Sequence, residues 1–201
     1  MKRHISFLIF LPFICFILYG CGKKTSDKET NHIKDSDIEG IWTMEVQNGN
    51  LKGTEEINFL PSNSLIVKDS LVFSGEDSGF SFMLPINVSL AGSWKIEKDS
   101  VFIKYKAASI DIQLKENDFI IYDNQENADQ NVFEILKKEM GDKLFDYVAS
   151  YLSESYQGVS DQELLFGKII YLKTDTLLFR LNNNQFYLSR LNNRTFDINN
   201  D

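Results

Sequence analysis

Cysteine and histidine are nearly missing from this sequence, and the few present stand in one place. Cys15, Cys21, His4 and His32 all fall within the first 32 of 201 residues. Beyond them the chain has no thiol and no imidazole. A domain folded from that remainder cannot hold a Ser-His-Asp triad, a cysteine nucleophile or a zinc site of the usual kind. It cannot hold an internal disulfide either. What survives is chemistry made of carboxylates alone, or calcium bound by oxygen. Positive charge is also short. Without Lys2 and Arg3, 19 basic residues face 29 acidic ones, a net charge of about −10. Such a surface does not track nucleic-acid phosphates and is repelled by an anionic membrane face. The expectation is a protein that is not an enzyme, with no cofactor, no metal and no nucleic-acid partner.

Long apolar runs are limited to one. After Lys2, Arg3 and His4, residues Ile5 to Leu18 are almost wholly apolar, a basic start and apolar stretch of about 14 residues that match an export leader. A bilayer-spanning helix needs about 20. From this pattern alone, an ordinary cleaved leader and an uncleaved anchor both stay open. The run closes on Leu18-Tyr19-Gly20-Cys21, which resembles the lipobox of bacterial lipoproteins. That resemblance implies cleavage after residue 20 and lipid on Cys21, whose several acyl chains would hold the chain on a membrane. Residues 1–20 are then a signal peptide and 21–36 a lipidated cysteine and tether, polar and expected to stay disordered. No aspartate follows Cys21, so the inner-membrane retention signal of enteric lipoproteins is missing. Gly22-Lys23-Lys24-Thr25 also differs from the surface-export pattern of Bacteroides-type lipoproteins. The outer membrane, periplasmic face, is therefore expected, with the cell surface as the other option.

The domain, read as 37–192, has a periodicity of two nearly throughout. Trp42, Met44 and Val46 alternate with Thr43 and Glu45, and Asn48-Gly49 then signals a hairpin turn. Ile57 and Phe59 alternate next, followed by Leu65–Phe73 and the polar stretch "SGEDSG", read as a loop. Phe80–Leu90 reads as a strand in which Pro85 marks an edge or bulge. Trp94 and Ile96 open another, which turns at Lys98-Asp99. Later come "GKIIYLK", "TLLFRL" and "QFYLSRL", with turns at 174–175 and 182–184. About nine or ten short strands with regular turn signals predict a meandering antiparallel sandwich or barrel. Residues 193–201 read as a disordered tail.

One stretch breaks the pattern. Over 128–157 the apolar residues Phe133, Leu136, Met140, Leu144, Val148 and Leu152 recur every three or four positions, one face of a helix. Gly141-Asp142 offers a C-cap and a new N-cap, so two shorter helices are expected. They could plug or cover the sheet, or serve as a contact surface for a protein partner.

The segments Gly40-Ile41-Trp42, "GSWKIEKDSVFIKY" from Gly92 and "GKIIYLKTDTLLFRLNNNQFYLSRL" from Gly167 are together similar to lipocalin-like lipoproteins of Bacteroides-type bacteria. The resemblance implies a lipocalin-like antiparallel meander barrel of about 8–10 strands, with the helical insertion as a departure. It also implies that Trp42 closes one end of the barrel beneath Arg190. The residues agree with that pairing: Arg190 shares strand parity with Phe186 and Leu188 and so points inward, where a tryptophan face would offer a cation–π partner. An edge arginine reaching water is the alternative. Trp94, Phe59, Phe82, Tyr105 and Phe179 would either line a cavity for one small apolar ligand or fill the barrel solid. Asp69-Ser70-Leu71, Asp99-Ser100-Val101 and Asp175-Thr176-Leu177 resemble the sites at which the same bacteria attach O-glycans, making Ser70, Ser100 and Thr176 candidates. The adjacent Glu55 and Glu56 point to opposite faces of a strand and cannot act together. Glu76-Asp77 lies in the expected loop, where a solvated turn outweighs a calcium site.

Overall fold

The computed structural model describes residues 33–77, 80–123 and 130–191. Signal peptide, Cys21 and tail lie outside the described residues. In chain order the elements are α1 (Asp35–Ile38), β1 (Gly40–Asn48), β2 (Leu51–Leu60), β3 (Ser64–Asp77), β4 (Phe80–Glu97), β5 (Ser100–Tyr105), β6 (Asp111–Leu114), β7 (Ile120–Asp123), α2 (Gln130–Val159), β8 (Leu164–Leu172), β9 (Thr176–Leu181) and β10 (Asn184–Arg190). Helix α1 thus begins inside the stretch read as tether.

Antiparallel pairing runs β3-β2-β1-β10-β9-β8-β5-β4, and β3 pairs again with β4, so eight strands close into a ring. This is a mainly β, lipocalin-like barrel with a helix inserted. Two-residue turns join β1 to β2, β4 to β5 and β9 to β10, where Gly49, Lys98 and Asn182 adopt the positive φ such turns demand.

Alternation decides what lies inside. On β2 the odd positions from Glu55 to Phe59 are buried, on β3 those from Leu65 to Phe73, and on β4 the even positions from Phe82 to Trp94. Outward positions include Lys52, Thr54, Lys68 and Ser70. That is the reverse of a barrel embedded in lipid, whose outer face is apolar.

Strand β4 is a single strand of 18 residues, not the two that were expected. One of its edges pairs with β3 from Phe80 to Ser93, while β7, β6 and β5 line up along the other. Pro85 sits at the gap between the β7 and β6 pairings, its carbonyl accepting from Lys115 N–H at 2.9 Å. Its missing N–H points to the same edge, where no ladder bond is needed, so the strand runs through it. Likewise "SGED" is not a loop: Gly75 and Glu76 pair with Phe82 and Ser81 within β3.

The insertion is one helix of 30 residues, about 45 Å long, where two were expected. Gly141 does not end it. The residue is buried, and a β-carbon there would come within 3.3 Å of Phe145 and 3.6 Å of Phe119. Those rings meet edge-on at 5.2 Å, so the glycine makes room for packing rather than for a cap. Leu144, Val148 and Leu152 join the barrel core; the side chains of Phe133 and Leu136 lie outside the description. Among the described pairings β6 and β7 bond only to β4, and α2 packs beside β6. After the helix the chain rejoins the barrel beside the end of β5: Asp161 N–H donates to Tyr105 O at 2.8 Å, and β5 pairs directly with β8.

Candidate functional site: a buried acid pair in the barrel

At one end of the ring, β1 and β10 set Trp42 opposite Arg190. The Arg190 guanidinium carbon lies 4.3 Å above the Trp42 ring. Its Nη1 donates to Glu39 O at 2.8 Å and its Nη2 to Asp37 O at 3.0 Å. These carbonyls belong to the last turn and C-cap of α1, where a cation is favoured. Trp42 Nε1 donates to Ile38 O at 2.7 Å, so α1 is stitched over this end from both sides. Gly40 has φ +125°, and a β-carbon there would sit 2.9 Å from Arg190 Nη1. The glycine is required both by its backbone conformation and by the space the guanidinium occupies. This assembly is structural.

The five aromatic candidates are all buried, but they do not surround one point. Phe59 meets Trp94 edge-on at 5.3 Å and Phe166 at 6.3 Å, and Phe166 carries the cluster on to Phe179 and Phe186. Phe82 packs elsewhere, against Phe73 at 5.9 Å. Trp94 Nε1 is satisfied by Leu60 O at 3.1 Å. Tyr105 belongs to a different group, which the sequence reading missed.

That group is built by strand register. Glu55 on β2 lies directly opposite Asp69 on β3, and both point inward, 8% and 4% exposed. Tyr156 near the end of α2 donates its hydroxyl to Asp69 Oδ2 at 2.6 Å. Tyr105, also buried, is close enough to feel the charge of both acids. Glu55 and Asp69 are hydrogen-bonded to each other when one is protonated; beyond that bond, Glu55 Oε1 and Asp69 Oδ1 have no partner. Two carboxyl groups this close, away from water, cannot both ionise cheaply. Burial, then the charge of Asp69, pushes Glu55 well above the usual carboxylate range. Burial raises Asp69 to about 6, against the Tyr156 bond, which favours its ionised form. Tyr156 and Tyr105 are both pushed upward by burial and by these acids, and stay protonated. The pair can therefore hold one proton between two oxygen-rich groups and lose it as pH rises.

Glu55 and Glu56 act apart, as strand parity requires, but Glu55 has an acid partner across the ladder. The signal was available: Glu55 shares parity with Ile57 and Phe59, and Asp69 with Val67 and Leu71. An acid on each apolar stripe of adjacent strands marks an inward pair. The glycan pattern at 69–71 looks different too. Ser70 is exposed, but Asp69 faces the core of mid-strand β3 and is hidden from any modifying enzyme in the folded state. Ser100 and Thr176 follow surface turns, each hydroxyl bonded to the preceding aspartate at 3.2 and 3.1 Å. Among the described residues no three or more His, Cys, Asp or Glu side chains converge to hold a metal ion.

No family model matches the chain, and a search of curated proteins found no match.

Proposed function

We propose that the chain is a non-catalytic binding module of the cell envelope. In this reading lipid on Cys21 anchors it to the outer membrane, and the barrel receives a small, largely apolar molecule. The observation that carries the reading is the acid pair. Buried carboxyl groups with incomplete hydrogen bonding destabilise a core, and an apolar pair of similar volume would serve a merely structural barrel better. Their presence under a helix that is not part of the ring fits a site meant to be filled. Both acids are shut off from solvent, which disfavours carboxylate-based hydrolysis of a bulky substrate.

A second reading, a protein-interaction role for α2, draws support from Tyr147, exposed and stacked on Tyr151 at 6.1 Å. Leu144 and Val148 are not available for it, since both are buried in the core.

Mass spectrometry of the protein taken from its native membranes tests the first reading. The expected result is a chain lacking residues 1–20, carrying acyl mass at Cys21, and releasing an apolar compound under native conditions. A chain with unmodified Cys21 refutes the anchor. A barrel that carries nothing and whose melting temperature is unmoved by apolar compounds refutes the binding role.

A further inference from the structure

We propose that Glu55 and Asp69 form the recognition site for a protonated amine borne on an otherwise apolar ligand. This deepens the binding-module reading and rests on it. The buried polar side chains among the described residues are Glu55, Asp69 and Ser160. Ser160 is occupied, donating to Tyr156 O at 2.6 Å. Two acids are thus enclosed with no buried base among the described residues, and beyond the proton they share neither Glu55 Oε1 nor Asp69 Oδ1 has a hydrogen-bond partner. An alkyl ammonium group supplies what is missing: positive charge and N–H donors, three of them on a primary amine. Glu55 Oε1 and Asp69 Oδ1 would take two of those donors, and the phenol oxygens of Tyr156, bonded to Asp69, and of Tyr105, which feels the charge of both acids, offer further acceptors. Tyr156 already holds Asp69 Oδ2, which fixes that carboxylate for the incoming cation. The residues around the pair, Ile57, Val67 and Val88 among them, belong to the buried apolar core, the surroundings a hydrocarbon body would need.

The groups facing the pair come from four elements: Glu55 from β2, Asp69 from β3, Tyr105 from β5 and Tyr156 from α2. None is basic. A neutral or anionic head gains little here, because a hydroxyl brings one donor and a carboxylate adds a third acid. An ammonium group also displaces the proton the acids share, so its binding is linked to proton release.

The test uses the mature chain and three probes of equal length: octylamine, 1-octanol and octanoate. Titration calorimetry at pH 6, in two buffers of different ionisation heat, gives affinity and protons released. The expected result is octylamine bound at least about tenfold more tightly than 1-octanol, with proton release on the amine and none on the alcohol. In the Glu55→Gln/Asp69→Asn variant the amine preference disappears while 1-octanol still binds. Equal binding of amine and alcohol, or amine binding with no proton released, overturns the amine site and leaves the binding module standing. Wild-type protein that binds none of the three overturns both. Proton release is read on wild type, so the test holds even if the variant does not fold.

Discussion

Replacing Glu55 with Gln and Asp69 with Asn together should remove a pH dependence that the acid pair imposes on folding. The sign follows from the direction of the shifts. Both acids hold their protons more tightly folded than unfolded, so the native state binds more protons and stability falls as pH rises. Asp69 moves from 3.8 to about 6, a change of about two units, or about 3 kcal/mol. That contribution is present in full below about pH 4 and is lost as pH passes 6. Glu55, raised for the same reason and by the charge beside it, adds its own loss at higher pH. Urea unfolding of wild type and double variant between pH 4 and 8 measures the difference between their unfolding free energies. That difference should shift in favour of the variant by about 3 kcal/mol or more across the range, with unchanged denaturant slopes. Two curves that stay parallel would refute the reasoning, since the acids would then titrate as they do in the unfolded chain.

Two further substitutions probe neighbouring contacts. Tyr156→Phe removes the hydroxyl donor to Asp69 and should cost about 1–3 kcal/mol above pH 6, less at pH 4 where Asp69 is protonated; a pH-independent loss in urea unfolding would contradict the bond's preference for the ionised acid. Arg190→Lys keeps the charge but cannot span both α1 carbonyls; it should cost about 1.5–3 kcal/mol and lower the calorimetric melting temperature by several degrees, whereas an unchanged melting temperature would mark Arg190 as an ordinary surface side chain.

Much of the barrel is legible in the sequence because an antiparallel ring with one wet face prints its geometry as strict alternation. Trp42-Met44, Ile57-Phe59 and Phe186-Leu188 carry that print, and Asn48-Gly49 marks where it reverses. The errors come from residues whose usual meaning depends on neighbours far along the chain. Pro85 reads as an edge or bulge and Gly92 as the opening of a new strand, yet β4 runs through both, its pairing partner on one side changing beside the proline. Gly141 looks like a helix stop until Phe119, 22 positions earlier, is seen packed on Phe145, the ring a β-carbon there would press against. The acid pair was hidden for a related reason. Glu55 and Asp69 each look like a polar residue among apolar ones, and only the register of β2 against β3 makes them one group. Tyr156, brought from α2, could not be placed by strand alternation at all.

The contact between β1 and β10 is brief, two register pairs and one further bond from Leu191 N–H to Ile41 O. It is also the join between the first strand synthesised and the last. The ring therefore stays unclosed until the whole domain has been made, and β1 waits with one edge bare while every other wall strand finds its neighbour. Placing a cation, an indole and a short helix on that same join gives the final step of assembly a fastening that does not depend on ladder length. A chain cut short before Arg190 would keep nearly all its strands and lose the means to shut.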